Sequence, residues 1–103
     1  MDEIIYLNEL FDLYGDLLSD TQKKYFRDYY FDNLSYGEIG DKYSVSRNAV
    51  FKQLKMATDK LEELESKLHI YGSLKKIESR IDIIDNKELR EELKELLTNS
   101  FKN

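Results

Sequence analysis

Apolar residues recur at three- and four-residue steps along most of the chain, the period of helices buried on one face. Asp2 can cap a first helix on which Ile4, Leu7, Phe11, Tyr14 and Leu18 share a side, with Gly15 weakening its end. Ser19 stands three residues before Gln22, a capping box that opens a second helix through about Tyr30. That helix carries Tyr25, Phe26, Tyr29, Tyr30 and Phe31, and rings at this spacing belong mainly to a core. Asp32-Asn33 ends it. Ser35 with Glu38 forms the next capping box and predicts a short helix over Tyr36 to Tyr43. Ser44-Val45-Ser46 breaks the pattern, and Ser46 caps a long fourth helix from Arg47 to about Ile70.

The apolar stripe of this fourth helix is Val50, Leu54, Ala57, Leu61, Leu64 and Leu68, a near-heptad spacing that suits packing along another helix or along its own copy. Gly72 is expected to stop it. Ser73 then opens a fifth helix with Leu74, Ile77, Ile81 and Ile84 on one side. Asp85 and Glu88 read as a third capping box, with a break near Asn86 and a sixth helix bearing Leu89, Leu93, Leu96 and Leu97. From about Asn99 the end is expected to fray. The expected fold is all-α, with residues 1–71 as one domain and residues 72–103 as a C-terminal helical extension that dimerises or caps it.

Composition sharpens this picture. The chain has 103 residues, 41% of them hydrophobic, with four glycines and no proline, which favours helices in a single small core. The absence of cysteine excludes disulfides, thiolate catalysis and Cys-ligated zinc. No apolar run reaches membrane-spanning length and the first residues are acidic, so neither a span nor a secretory signal is predicted, and a cytoplasmic location is expected. The net charge of −5 is unevenly spread: residues 35–60 hold five bases and three acids, while both flanking segments are acidic. The one basic stretch is the middle one.

That stretch contains LSYGEIGDKYSVSRNAVFKQL, Leu34 to Leu54. A DNA-reading helix-turn-helix needs a short support helix, a tight turn and a second helix held across it. Ile39, Val45, Val50 and Leu54 are expected to hold the two helices together, with Gly40 where they cross. Ser46 leaves the amide end of the second helix facing outward, suited to a phosphate. Arg47, Asn48, Phe51, Lys52 and Lys55 lie away from Val50 and Leu54. Arg can bond guanine bidentately and Asn adenine, whereas the lysines suit phosphates. Phe51 suits either a thymine methyl or another helix. With Lys42, Lys23 and Lys24 this makes roughly four to six phosphate contacts. The same signature also describes αα-hairpins with no nucleic-acid role. Ser44 occupies a turn position that usually takes glycine, so the turn is expected to be slightly strained.

Leu34–Leu54 resembles the helix-turn-helix of bacterial sigma factor region 4, whose pattern is LSxxEIAxxxxVSRxxVxxxL. The similarity is closer, over about residues 7–70, to the YlxM family of small helix-turn-helix proteins linked to the signal recognition particle. It rests on Leu10-Phe11-Asp12-Leu13-Tyr14, Leu17-Leu18-Ser19, Gln22 and Tyr25. It continues through Tyr29 to Ser35, Gly37-Glu38-Ile39, Val45 to Val50, and Lys67-Leu68-His69. Gly40 replaces the alanine common in that family, and the region after Gly72 matches weakly. The resemblance implies a sigma-region-4-like all-helical fold with a long recognition helix, DNA binding, and a part in the signal recognition particle pathway. The alternative it leaves is an adaptor that binds the particle's protein or RNA.

Other chemistry is sparse. His69 is the only histidine, and with Glu62 and Glu65 it makes at most a weak helical metal pattern, for which surface capping is the preferred reading, so no metal is expected. No histidine remains to activate a serine, and no glycine-rich phosphate loop exists. Glu62, Glu63 and Glu65 read as a solvated face. A non-enzymatic, cofactor-free binding protein is expected, with duplex DNA or the signal recognition particle as partner. A homodimer is expected because one copy carries a single recognition helix; its contact is either the α-helical stripe of residues 50–68 or the helices after Gly72.

Overall fold

The computed structural model describes residues 2–101 and is all-helical among them. Helix α1 spans Glu3–Tyr14 and closes with a 3-10 turn at Gly15–Leu17. Helix α2, Asp20–Phe26, runs on into a π-helical turn, Arg27–Phe31. Helices α3 (Tyr36–Tyr43), α4 (Arg47–Leu68), α5 (Ile70–Asp82) and α6 (Lys87–Phe101) follow. No helix among them is long and apolar enough to cross a membrane.

Four of the starts are made by local caps, as their spacing predicts. Asp2 accepts from the Ile4 amide, Ser19 and Gln22 close a reciprocal box, and so do Ser35 and Glu38. The Ser46 hydroxyl accepts from the Ala49 amide at 3.0 Å. Each satisfies amides that a helix start otherwise leaves without acceptors.

The core forms where α1, α2 and α3 pack around α4. Leu7, Leu10, Phe11, Tyr14, Leu18, Tyr25, Phe26 and Ile39 meet Val50, Leu54, Ala57 and Leu61. The Phe11 and Phe26 rings stack at 4.3 Å. The stripe of α4 is therefore used inside its own subunit; Leu64 is half-buried and Leu68 is exposed. Ile4 and Phe31 also lie outside the core, at its rim.

Three boundaries differ from the sequence expectation. The long helix ends at Leu68, where His69 takes the left-handed conformation (φ 56°), so α5 starts at Ile70 and both Gly72 and Ser73 lie within it. The start of α5 is capped from far away. The Tyr14 hydroxyl accepts from the Ile70 amide, and the Glu65 carboxylate accepts from the Tyr71 and Gly72 amides at 2.9 and 3.0 Å. Glu65 is thus a cap rather than part of a solvated face. The sixth helix is capped one residue later than expected, by Asn86 accepting from the Leu89 amide at 3.0 Å, and it continues through Phe101 past the predicted fraying point.

Candidate nucleic-acid interface

Helix α3, the Ser44–Ser46 turn and the first half of α4 form the helix-turn-helix. Ile39, Gly40, Val50 and Leu54 are buried at its centre. Gly40 lies hard against the turn: a β-carbon there would stand 2.6 Å from the Val45 carbonyl oxygen and 3.4 Å from the Arg47 nitrogen. Val45 differs from expectation, because its side chain is 40% exposed and its backbone makes the contact. Its amide donates to the Gly40 carbonyl at 2.9 Å, which caps α3. Ser44 adopts φ 58°, ψ 45°, the left-handed conformation that its place in the turn demands.

A second tie fixes α3 on the π-helical turn that follows α2. Buried Asp28 accepts from the Lys42 ammonium at 2.9 Å and from the Tyr43 hydroxyl at 2.7 Å. The hydrogen bond to Asp28 is the main reason the Lys42 pKa is raised, and also the main reason the Tyr43 pKa is raised. Sequence reading missed this anchor because nothing local marks Asp28 as buried. It counted Lys42 as a phosphate contact, whereas the structure engages it with a carboxylate.

The outer side of α4 presents the remaining candidates. Arg47, Asn48, Lys52 and Lys55 are all exposed. Asn48, Lys52 and Lys55 stand two or five residues from Val50, which at about 100° per residue puts them opposite the core. Among the described residues Arg47, Asn48 and Lys52 make no ion pair or hydrogen bond through their side chains, whereas Lys55 pairs with Asp59 at 3.4 Å across one turn. Such an exposed pair is worth little and releases easily. Farther away, Lys23 lies 3.9 Å from Asp16, and Lys24 is exposed.

Phe51 is 47% exposed and sets its edge on Tyr36 at 5.6 Å, so it both packs on a neighbour and shows one side to solvent. Together with Tyr29, Tyr30, Leu54, Lys55 and Thr58 these rings line a groove of about 200 Å³ beside α4. The Tyr29 and Tyr36 rings stack at 5.0 Å. A hydrogen bond to Tyr29, aided by burial, pushes the Tyr36 pKa up to about 12. Arg47 borders the adjoining recess with Asn33, Leu34 and Ser35. No group of three or more His, Asp or Glu side chains suited to a metal ion occurs among the described residues.

Residues 1–102 match the family model described as "Putative helix-turn-helix protein, YlxM / p13 like". The chain is 40% identical over 100 residues to the UPF0122 protein YlxM of Bacillus subtilis, covering 97% of this chain and 83% of that protein. It is 39% identical over 101 residues to a UPF0122 protein of Halalkalibacterium halodurans, covering 94% and 93% of the two chains. A UPF0122 protein of Shouchella clausii is 42% identical over 84 residues, covering 82% and 74%.

Proposed function

The chain belongs to the UPF0122 family of YlxM- and p13-like helix-turn-helix proteins, and from that premise we propose that it binds duplex DNA through the outer face of α4. The observation that carries this reading is the uncommitted set Arg47, Asn48 and Lys52 on a helix whose position is fixed by Gly40. These groups project from the element that enters a major groove in helix-turn-helix proteins. Arg47 and Asn48, at the N-terminal end, are the base readers; Lys52 and Lys55 meet phosphates, joined by the amides that open α4. The role is one of binding and regulation, without catalysis, and it works as a pair of copies because each chain offers one recognition helix.

The test is a salt titration of binding to duplex DNA. Each phosphate contact contributes a log–log slope of about −0.9, so affinity should fall steeply with salt. The doubly reversed variant Arg47→Glu, Lys52→Glu should lose that affinity. Unchanged binding in this variant would refute the reading.

A second reading is favoured by the charge inventory. The chain carries −5 overall and Lys42 is engaged internally, so the cationic field at α4 is small against the rest of the molecule. This favours an adaptor of the signal recognition particle that docks on its protein, since the particle's RNA is a polyanion like DNA. Titrating the particle's RNA and its GTPase beside duplex DNA separates the two readings, and the adaptor reading fails if the GTPase does not bind below about micromolar concentration.

A further inference from the structure

Helix α6 is amphipathic, yet none of its 15 residues is buried. Leu89, Leu96 and Phe101 on α6, Ile77 on α5 and Ile83 in the connecting turn are each more than 40% exposed. Within the subunit α6 packs chiefly on α5, and two helices of this length hold each other only marginally in water. The 4,3 spacing runs along α6 as Leu89, Leu93 and Leu96 and along α5 into the connecting turn as Ile77, Ile81 and Ile84; Ile81 is buried within the subunit, which leaves Ile77, Leu89 and Leu96 as the exposed members. The stripe of α4 is not available to cover them, since Val50, Leu54, Ala57 and Leu61 are buried in their own core.

We propose that the exposed face of the α5–α6 hairpin is where two copies of this chain meet, α5 of each lying across α6 of the other. Charge favours this arrangement by one net unit on each helix, +1 on α5 and −1 on α6. Helix α5 carries Lys75, Lys76 and Arg80 against Glu78 and Asp82, whereas α6 carries Glu88, Glu91, Glu92 and Glu95 against Lys87, Arg90 and Lys94. A two-fold axis that sets α5 on the partner copy's α6 brings opposite excesses together; stacking α6 on α6 would bring like charges together. The face measures roughly 20 by 20 Å, two helix widths by the length of α6, about 400 Å² in projection per copy, which is the scale of a small interface. This deepens the paired reading of the function, but the surface is tested without DNA, so either proposal can fail alone.

The experiment is light scattering and equilibrium sedimentation on the full chain from about 1 to 100 µM. A dimer is expected. Leu89→Glu with Leu96→Glu should raise its dissociation constant at least about 100-fold with unchanged helical circular dichroism. Ile4→Glu with Ile5→Glu, equally exposed on α1, should leave the dimer intact. A mixing test covers loss of folding in the leucine pair. Lys76→Glu, Arg80→Glu chains and Glu91→Lys, Glu92→Lys chains should each be monomeric alone and should pair when mixed. A chain that is monomeric throughout the range overturns the proposal. So does a dimer indifferent to the leucine pair, or charge-reversed chains that do not prefer each other.

Discussion

The carbonyl oxygen of Val45 lies 2.6 Å from the place a β-carbon on Gly40 would occupy, so the turn of the helix-turn-helix rests directly on the backbone of α3. A backbone oxygen cannot swing aside as a side chain can. Gly40→Ala gains about 1 kcal/mol in helix propensity but pays about 1–3 kcal/mol for overpacking, so a net loss near 1 kcal/mol is expected. Gly40→Val, with a branched carbon at the same spot, should lose several times more. Urea midpoints at constant slope measure both, and a Val variant as stable as the parent would show that this contact does not set the helix crossing.

Ser44 pays for the same turn in another way, by holding φ at 58° with a β-carbon attached. The left-handed conformation costs a non-glycine residue about 1–2 kcal/mol, partly offset by the greater chain entropy that glycine loses on folding. Ser44→Gly should therefore stabilise the protein by about 0.5–1 kcal/mol. A lowered thermal midpoint would contradict this account of the turn.

What was legible in the sequence was whatever local chemistry decides. Ser19, Ser35 and Ser46 announce helix starts because each hydroxyl bonds an amide three residues on, inside a single turn of chain. Ile39, Gly40, Val50 and Leu54 were readable as the crossing because their spacing matches the helical period. The start of α5 was not readable, since its amides are satisfied by Tyr14, which is 56 residues away from Ile70, and by Glu65, which looked like one of three solvated acids. Asp28 was missed for the same reason: its partners lie 14 and 15 residues ahead on another helix. Val45 was misjudged because apolar character says nothing about a contact made by a carbonyl.

Asp28, in the π-helical turn after α2, accepts from both the Lys42 ammonium and the Tyr43 hydroxyl of α3. Asp28→Ala leaves that hydroxyl without its partner and unties the support helix. A loss of about 2–3 kcal/mol is expected, with α3 amides exchanging faster than those of α1. Uniform protection across both helices in the variant would show that Asp28 does not anchor α3.

Alkaline pH should loosen the fold through Tyr14. Burial first, and then donation to Glu65 at 2.7 Å, push its pKa up to about 12. Burial with Glu9 nearby does the same to Tyr71. The folded state keeps protons that the unfolded chain releases from about pH 10, so stability is intact below that value and is lost between about pH 10 and 12. Tyr14→Phe should cost about 1–2 kcal/mol at neutral pH and remove its share of the alkaline loss. The gap between variant and parent must narrow as pH rises; a gap constant to about pH 11.5 would exclude Tyr14 from the effect.

Lys42 and Lys52 look interchangeable in sequence, two lysines ten residues apart in the one basic stretch, but the structure gives them different tasks. The Lys42 ammonium sits 2.9 Å from Asp28, and its raised pKa reflects that bond, so releasing it to a phosphate would leave a buried carboxylate uncompensated. Lys52 has no partner to give up among the described residues. Lys42→Gln should therefore lower the unfolding midpoint while leaving the salt slope of DNA binding where it was. Lys52→Gln should do the reverse, leaving stability alone and reducing the slope by about 0.9. Equal effects of the two substitutions on the slope would mean that both cations face the nucleic acid and that the Asp28 pair opens on binding.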